Sequence, residues 1–391
     1  MRHIAANALT LLIVGLVVLG GIISWGQREF VAEGPLQSTI CLRVEPGASL
    51  RAVSQSLDAQ GAVRNTSVFR IGAQYTDRAD RLRFGSYLVH EGASMDEILD
   101  IVTRGGASTC GSEVLFRIGV TRAETILREL DPETQRFVEL ARFDAETEEL
   151  PEVYAEFTAA PDVRYRVAVA EGATSWQVWD ALNRAAFLDG EVEEQPEEGW
   201  LAPDSYEVQA GADRGALLAR MRARQESILN ELWETRQEDL PYETPYEALI
   251  MASIVEKETG VADERRQVAS VFVNRLRVPM RLQTDPTVIY GITEGRGTLG
   301  RGIRQSELNA VTPYNTYRID GLPPTPIANP GRAAIAAALD PDDTPYLYFV
   351  ADGTGGHTFS TNLADHNRAV ARWREIEADM RARQLEEQQG N

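Results

Sequence analysis

Glu258 stands where a helix should be burying apolar surface. Taking about 100° per residue from Leu249 onward, Ile250, Met251, Ile254 and Val255 average to a direction that Glu258 shares, whereas Glu256 points to the opposite face. A carboxyl in apolar surroundings resists ionisation and keeps its proton near neutral pH, the state a general acid needs. An apolar helix that reaches solvent in its last turn would give the same pattern, so this helix alone leaves two readings open.

The residues beyond Gly260 supply material for a groove. Asp263 is expected to cap a helix whose Val268, Val271, Phe272 and Leu276 form an apolar stripe ending before Pro279. Four loops are expected after it: Gln283-Thr-Asp-Pro-Thr287 with Tyr290, Tyr314-Asn-Thr-Tyr317, Gly321-Leu-Pro-Pro-Thr-Pro-Ile327 and Asn329-Pro-Gly331. They combine rigid turn residues with Tyr, Asn, Gln and Thr. Sugar sites use that mixture, because aromatic faces cover the apolar faces of a sugar while amides and hydroxyls bond its hydroxyl groups. Turn formation by itself explains many of the same residue types.

Other patterns carry less. Gly295-Arg-Gly-Thr-Leu-Gly300 has the letters of a dinucleotide fingerprint, but no strand–helix–strand pattern surrounds it and it reads as a flexible loop. Asp352-Gly-Thr-Gly-Gly-His357 lacks the lysine of a phosphate loop and reads as a turn, with His357 either lining a groove or holding structure by hydrogen bonds. The four histidines do not combine with the two cysteines in a zinc spacing, so no metal and no cofactor is expected.

A scaffold must hold these groups. The 391 residues, 43% hydrophobic and 25% charged, can bury a sizeable core in two or three domains. The net charge of -20 sets nucleic acid aside as a partner, since phosphate binding depends on concentrated Lys and Arg. Residues 4–25 contain no charged side chain over 22 positions, long enough to cross a bilayer, and read as an uncleaved transmembrane anchor between a tip at 1–3 and a linker at 26–37. The small residues Gly20, Gly21 and Ser24 leave cleavage open. Arg2 and the terminal amine precede the run, while Arg28 and Glu29 cancel after it, so the basic bias puts the N-terminus in the cytoplasm. Cys41 and Cys110 both lie past the anchor, where a disulfide would persist. Pairing and two buried free thiols fit the sequence equally, because the Cα separation is not legible in it.

Val44-Glu-Pro-Gly-Ala-Ser49, Val89-His-Glu-Gly-Ala-Ser94 and Val169-Ala-Glu-Gly-Ala-Thr174 share one design of strand, turn and helix cap. Around the first two, residues 38–105 predict a small unit of strand, helix, helix, strand and helix, with 83–89 as the returning strand. Residues 106–162 read as an accessory segment, strand-like at 115–120 and acidic at 144–152. The connecting region 163–240 holds a second acidic run, 191–198, expected to be a solvated loop interrupted by Pro196, and a long polar helix at 214–233. A core at 241–375 carries the Glu258 helix, which begins near Thr244. A helix at 362–389 docks its first half through Leu363, Val370 and Trp373, and 376–391 is a polar tail.

Several of these runs together resemble the endolytic murein transglycosylase family, also called MltG or YceG-like proteins. The resemblance rests on Ala252-Ser-Ile-Val-Glu-Lys-Glu-Thr259, Val268-Ala-Ser-Val-Phe-Val-Asn-Arg-Leu276, Met280-Arg-Leu-Gln-Thr-Asp-Pro-Thr-Val-Ile-Tyr-Gly291, Pro313-Tyr-Asn-Thr-Tyr317 and Gly321-Leu-Pro-Pro324. Pro345-Tyr-Leu-Tyr-Phe-Val-Ala-Asp352 and Gly355-Gly-His-Thr-Phe359 complete it over most of 245–370. It extends more loosely to the anchor, to 38–105 and to Gly199-Trp-Leu-Ala-Pro-Asp-Ser-Tyr206, while 106–162 reads as an insertion relative to the family pattern.

The resemblance implies an α+β fold made of an N-terminal transmembrane helix, a LysM-like α+β module and a mixed α+β catalytic domain. It implies cleavage, without water, of the β-1,4 bond between N-acetylmuramic acid and N-acetylglucosamine inside peptidoglycan strands, leaving a 1,6-anhydromuramyl end. The catalytic acid and base falls on Glu258. Thr259 resembles the hydroxyl residue next to the catalytic Glu in related lytic transglycosylases. Asp285 is expected to organise the 284–287 loop or orient a groove residue. Gln283, Thr287, Tyr290, Tyr314 and Asn315 are expected to line or support the groove, and Glu256 and Lys257 to form an outward structural pair. The expected setting is the inner membrane, with a single pass, the catalytic domain in the periplasm, and peptidoglycan synthases as partners in terminating nascent strands. Two other classes stay open: a hydrolytic muramidase using Glu258 and Asp285, which would leave reducing ends, and a non-catalytic glycan-binding scaffold of the wall-synthesis machinery.

Overall fold

Apolar periodicity, caps and turns define the elements of the chain, and the computed structural model describes residues 2–104, 108–144, 152–160 and 162–389. Met1, the boundary expected at 105/106, most of the acidic stretch at 144–152 and the last two residues of the tail lie outside the described residues. The chain divides into two compact units, one of Met1–Leu115, Ile126–Phe143 and Glu149–Tyr165, the other of Phe116–Thr125, Asp144–Glu148 and Arg166–Asn391.

The first unit opens with α1 (Arg2–Val31), then β1 (Ile40–Val44), α2 (Leu50–Ala59), α3 (Thr66–Tyr75), β2 (Gly85–Val89) and α4 (Met95–Arg104). This is the strand, helix, helix, strand, helix order read from 38–105. Strands β1 and β2 pair antiparallel, from Ile40 opposite Val89 to Val44 opposite Gly85. Leu42, Val44, Leu57, Phe69, Ile98 and Leu99 form their shared core. The caps work as their residue types require: the Ser49 hydroxyl accepts from the amide of Ala52, and Ser94 exchanges bonds with Glu97. Within α1, Leu9–Val31 is apolar and long enough to cross a membrane. The helix does not stop at Trp25. It runs on to Val31, into the expected linker at 26–37, and Phe30 and then Leu36 enter the core of this unit. Cys41 and Cys110 are disulfide-bonded, which resolves the alternative left by the sequence.

The accessory segment is more ordered than its composition suggests. It contains β3 (Gly111–Ile118), β4 (Ala123–Asp131), β5 (Arg136–Asp144) and α5 (Glu152–Thr158). The expectation of one strand misses β4 and β5, whose charged residues are neutralised locally; in the first unit, for example, Arg128 Nε donates to the buried Glu113 at 2.8 Å. Next come β6 (Arg164–Val169), α6 (Ser175–Arg184), β7 (Leu188–Asp189), β8 (Ser205–Val208) and β9 (Ala212–Asp213). A five-stranded sheet has the order β5-β4-β3-β6-β8, and β7 and β9 form a parallel pair. Strands β3, β4 and β6 are each divided between the two units.

The rest of the second unit is mainly helical: α7 (Arg214–Glu234), α8 (Pro245–Glu258), α9 (Arg265–Arg277), α10 (Asp285–Thr293), α11 (Gln305–Asn309) and α12 (Arg332–Leu339). It closes with the hairpin β10 (Tyr348–Ala351) and β11 (His357–Ser360), and with α13 (Leu363–Gln389). Three expectations are corrected here. Gln283-Thr-Asp-Pro-Thr287 is not a loop but the entry to α10, because Thr284 takes the N-cap position with Pro286 in the first turn. Asp263 does not cap α9; it lies in a 3-10 turn, Ala262–Glu264, that precedes the helix. Leu363 is exposed rather than docked, and Ala369 is buried in α13 instead.

Candidate active site

Helix α8 begins on a Thr244–Glu247 capping box with Pro245 in its first turn, and every residue from Ala248 to Val255 is buried. Such a helix is enclosed on all sides. The single-face argument for Glu258 is therefore too simple: the helix has no solvent stripe until its last turn, and Glu256 is partly buried as well. Glu258 ends the helix, and its carboxyl accepts a short hydrogen bond from the Thr284 hydroxyl. Burial raises its pKa. The Thr284 bond opposes that rise, the Asp285 carboxylate adds to it, and His357 and Arg275 oppose it more weakly.

Thr284 is held by its own neighbours. Its amide donates to Thr316 Oγ1 at 3.1 Å, and its carbonyl accepts from Thr287 Oγ1 at 2.8 Å. The hydroxyls of Thr287 and Thr316 lie 2.9 Å apart and complete a buried triad of threonines. Gln283 precedes it with φ +49, a left-handed conformation costly for a side-chain-bearing residue; its amide donates to the Thr316 carbonyl at 3.1 Å and its side chain is exposed. Asp285, exposed in the first turn of α10, accepts from the Tyr317 hydroxyl at 2.7 Å. Thr259 is the C-cap of α8, buried, with Oγ1 accepting from the Val261 amide.

The arrangement is a half-buried carboxyl with raised proton affinity, one hydroxyl bonded to it, and the exposed Asp285 carboxylate paired with the half-buried Tyr317 phenol beside it. That is equipment for moving a proton in general acid–base chemistry.

A sequence profile of the YceG-like family matches residues 42–372. The chain belongs to the YceG-like family. An endolytic murein transglycosylase of Bacillus subtilis (strain 168) is 27% identical over 363 residues, covering 91% of each chain. One from Streptococcus pneumoniae serotype 2 (strain D39 / NCTC 7466) is 25% identical over 345 residues, which are 85% of this chain and 58% of that longer protein. A crystal structure of a yceG-like protein from Listeria monocytogenes aligns over 85% of this chain and 98% of its own, at 22% identity and a TM-score of 0.46.

In this YceG-like chain the other expected site residues fall into two groups. Tyr290 and Tyr314 meet, their ring centroids 5.0 Å apart, and Tyr314 bonds Thr325 at 2.8 Å. Asn315 and His357 are engaged by the protein itself. Asn315 is 1% exposed, and its amide donates to the carbonyls of Glu307, Leu308 and Ala310, which closes the turn after α11. His357 Nδ1 lies 2.7 Å from Glu264 Oε2, and the ring packs on Phe349. Glu256 and Lys257 do not bond each other as an outward pair. Glu256 accepts from the Gly331 amide at 2.9 Å, and Lys257 Nζ donates to the Gly172 carbonyl at 3.2 Å.

Several residues of the YceG-like site escaped the sequence reading. The run 191–198 is not wholly a solvated loop, for Glu198 is only 8% exposed. It accepts from the amides of Ser175 and Gly199 and, at 3.1 Å, from the Tyr290 hydroxyl. Burial pushes its carboxyl up to about 7 against those three donors. The available signal was the next residue, Gly199, whose φ of +85 turns the chain inward and whose missing side chain admits Pro326. Thr284, Thr316 and Tyr317 were visible only as turn residues. Arg275, on the helical stripe, is buried with its guanidinium donating to the carbonyls of Leu347 and Leu282.

Proposed function

We propose that this chain is a membrane-anchored endolytic lytic transglycosylase that cuts the MurNAc-β-1,4-GlcNAc bond inside peptidoglycan strands, with Glu258 as acid and then base. The observation that carries the reading is Glu258 itself, a half-buried carboxyl of raised pKa at the end of a buried helix, hydrogen-bonded by Thr284. The relatives named endolytic murein transglycosylases support the substrate class. Protonated Glu258 gives its proton to the leaving glycosidic oxygen. As carboxylate it then takes the proton of the sugar's C6 hydroxyl, which attacks C1 and closes the 1,6-anhydro ring. An internal nucleophile gains from proximity and requires no positioned water. Gln283, Tyr290 and Tyr314 would contact sugar, while Thr259, Thr287 and Asn315 support the walls.

The remainder of the chain serves placement. Residues 4–25 hold the protein in the inner membrane with its N-terminus in the cytoplasm, and the LysM-like unit at 38–105 adds a glycan-binding surface. The catalytic core at 241–375 then works in the periplasm on new glycan, where it terminates nascent strands beside their synthases. The exposed Asp285, whose charge acts on Glu258, favours one second reading: hydrolysis, with Asp285 activating water.

Mass spectrometry of glycan strands incubated with residues 27–391 separates the readings. Anhydromuramyl ends are expected from the wild type, with a fall of about 100-fold or more for Glu258→Gln. Reducing ends would transfer the assignment to a muramidase, and an intact, glycan-binding wild type that cuts nothing would leave a scaffold.

A further inference from the structure

The second unit contains a cavity of about 300 Å³ whose chemistry a glycosidic cleavage does not use. Pro286, Ile289 and Ile327 give it an apolar wall, and Lys257 and the loop from Gly295 to Gly300 give it a polar one. Three of its other polar side chains are engaged: Thr174 Oγ1 donates to the Gly295 carbonyl at 2.6 Å, Gln177 Nε2 to the Val120 carbonyl at 2.8 Å, and Arg301 pairs with Glu307. Lys257 makes a single hydrogen bond, to the Gly172 carbonyl, which leaves two of its three donor positions open. The carboxyls nearest its charge, Glu256 and Glu198, are bonded elsewhere.

The loop adds donors of its own. Among the described residues, the amides of Gly297, Thr298, Leu299 and Gly300 give no hydrogen bond to a protein acceptor. Gly295, Gly297 and Gly300 take φ of +72, +155 and +66, and amides strung between such glycines form concave seats for anions. The lining holds no carboxylate and two cations, of which Arg301 is already paired and Lys257 is not, in a chain of net charge -20. An anionic, acceptor-rich ligand fits it.

Tyr290, a proposed groove residue, also lines this cavity, as does Pro286, which follows Asp285 in α10, so the cavity adjoins the sugars at the cleaved bond. Resting on the proposed transglycosylase reading, we infer that Lys257 and the 295–300 loop bind a carboxylate of the peptide stem carried by the muramyl residue there. The stem leaves the sugar through its lactyl ether and carries free carboxylates, and the apolar wall accommodates its alkyl side chains. The protein then distinguishes peptide-bearing strands from stripped ones.

The test uses the full chain carrying Glu258→Gln and labelled glycan strands of equal length, either bearing peptides, stripped of them, or bearing peptides with amidated carboxyls. Binding is read by fluorescence anisotropy. Peptide-bearing strands should bind about tenfold more tightly than the other two. Adding Lys257→Met or Thr298→Asp should abolish that advantage, and Lys257→Arg should keep most of it; Thr298 is exposed, so its variant tests the loop without disturbing the helix. Equal affinity for all three strands, or an advantage that survives both Lys257→Met and Thr298→Asp, would overturn the inference. So would inorganic phosphate displacing stripped and peptide-bearing strands alike, since the site would then be a general anion seat. Wild-type cleavage of stripped strands to anhydro ends is scored separately, so failure of the reaction and failure of the stem site give different results.

Discussion

A carboxyl proposed to give and then take a proton is governed by what opposes its ionisation and what favours it. In Glu258 those are burial and the Thr284 hydroxyl. Removing the hydroxyl takes away a donor that favours the carboxylate, so Glu258 holds its proton to still higher pH. Thr284→Val should therefore move the alkaline limb of kcat/KM to higher pH, with Thr284→Ser restoring it; an unmoved limb would mean that another group sets it. Glu198 makes a different kind of prediction, because its charge bears on stability. Its folded-state pKa of about 7 lies above the ordinary 4.5, so its contribution is complete below the ordinary value and is lost as pH rises through about 7. In Glu198→Gln the amide can still accept from Ser175 and Gly199. Urea unfolding at pH 5 and pH 8 should show the wild type losing up to roughly 3 kcal/mol that the variant retains. Parallel behaviour of the two proteins would show that Glu198 is not the group titrating.

At the scale of elements, the disulfide joins β1 to the residue before β3 over a separation of 69 residues. Loop closure of that length restricts the unfolded chain by roughly 4 kcal/mol. Replacing Cys41 and Cys110 together with Ala should lower the unfolding midpoint of the first unit, and no shift would place the stabilisation elsewhere. The features legible in the sequence at this scale are those with local signals. The Thr244 box, the Ser49, Ser94 and Thr174 caps and the 3.6-residue period of α7 and α9 are written within a few residues of where they act. The entry to α10 was missed because Thr284-Asp-Pro spells both a turn and a helix start, and the choice belongs to Thr316, 32 residues away. Strand β4 was missed because the partner that neutralises its Arg128 is Glu113, 15 residues away on β3. Separation along the chain likewise concealed Glu198, a carboxyl indistinguishable from its acidic neighbours until Ser175 and Tyr290 are brought to it. The setting of Glu258 at the end of an apolar helix was legible because the run Ala248–Val255 is contiguous in the chain.

At the scale of the whole molecule, α1 is one helix of 30 residues, about 45 Å long. Its distal end is clamped into the first unit: Phe30 lies against Gly72 so closely that a Cβ there would meet the ring at 2.3 Å, and Gly34 bonds the Gly92 carbonyl at 2.9 Å. With α1 embedded as proposed, the first unit rides on a mast rather than a tether. A flexible tether of the expected length would let that unit sample a hemisphere of heights and orientations. A mast fixes its standoff from the bilayer and makes it turn with the helix, so that its search for a strand becomes lateral diffusion in two dimensions.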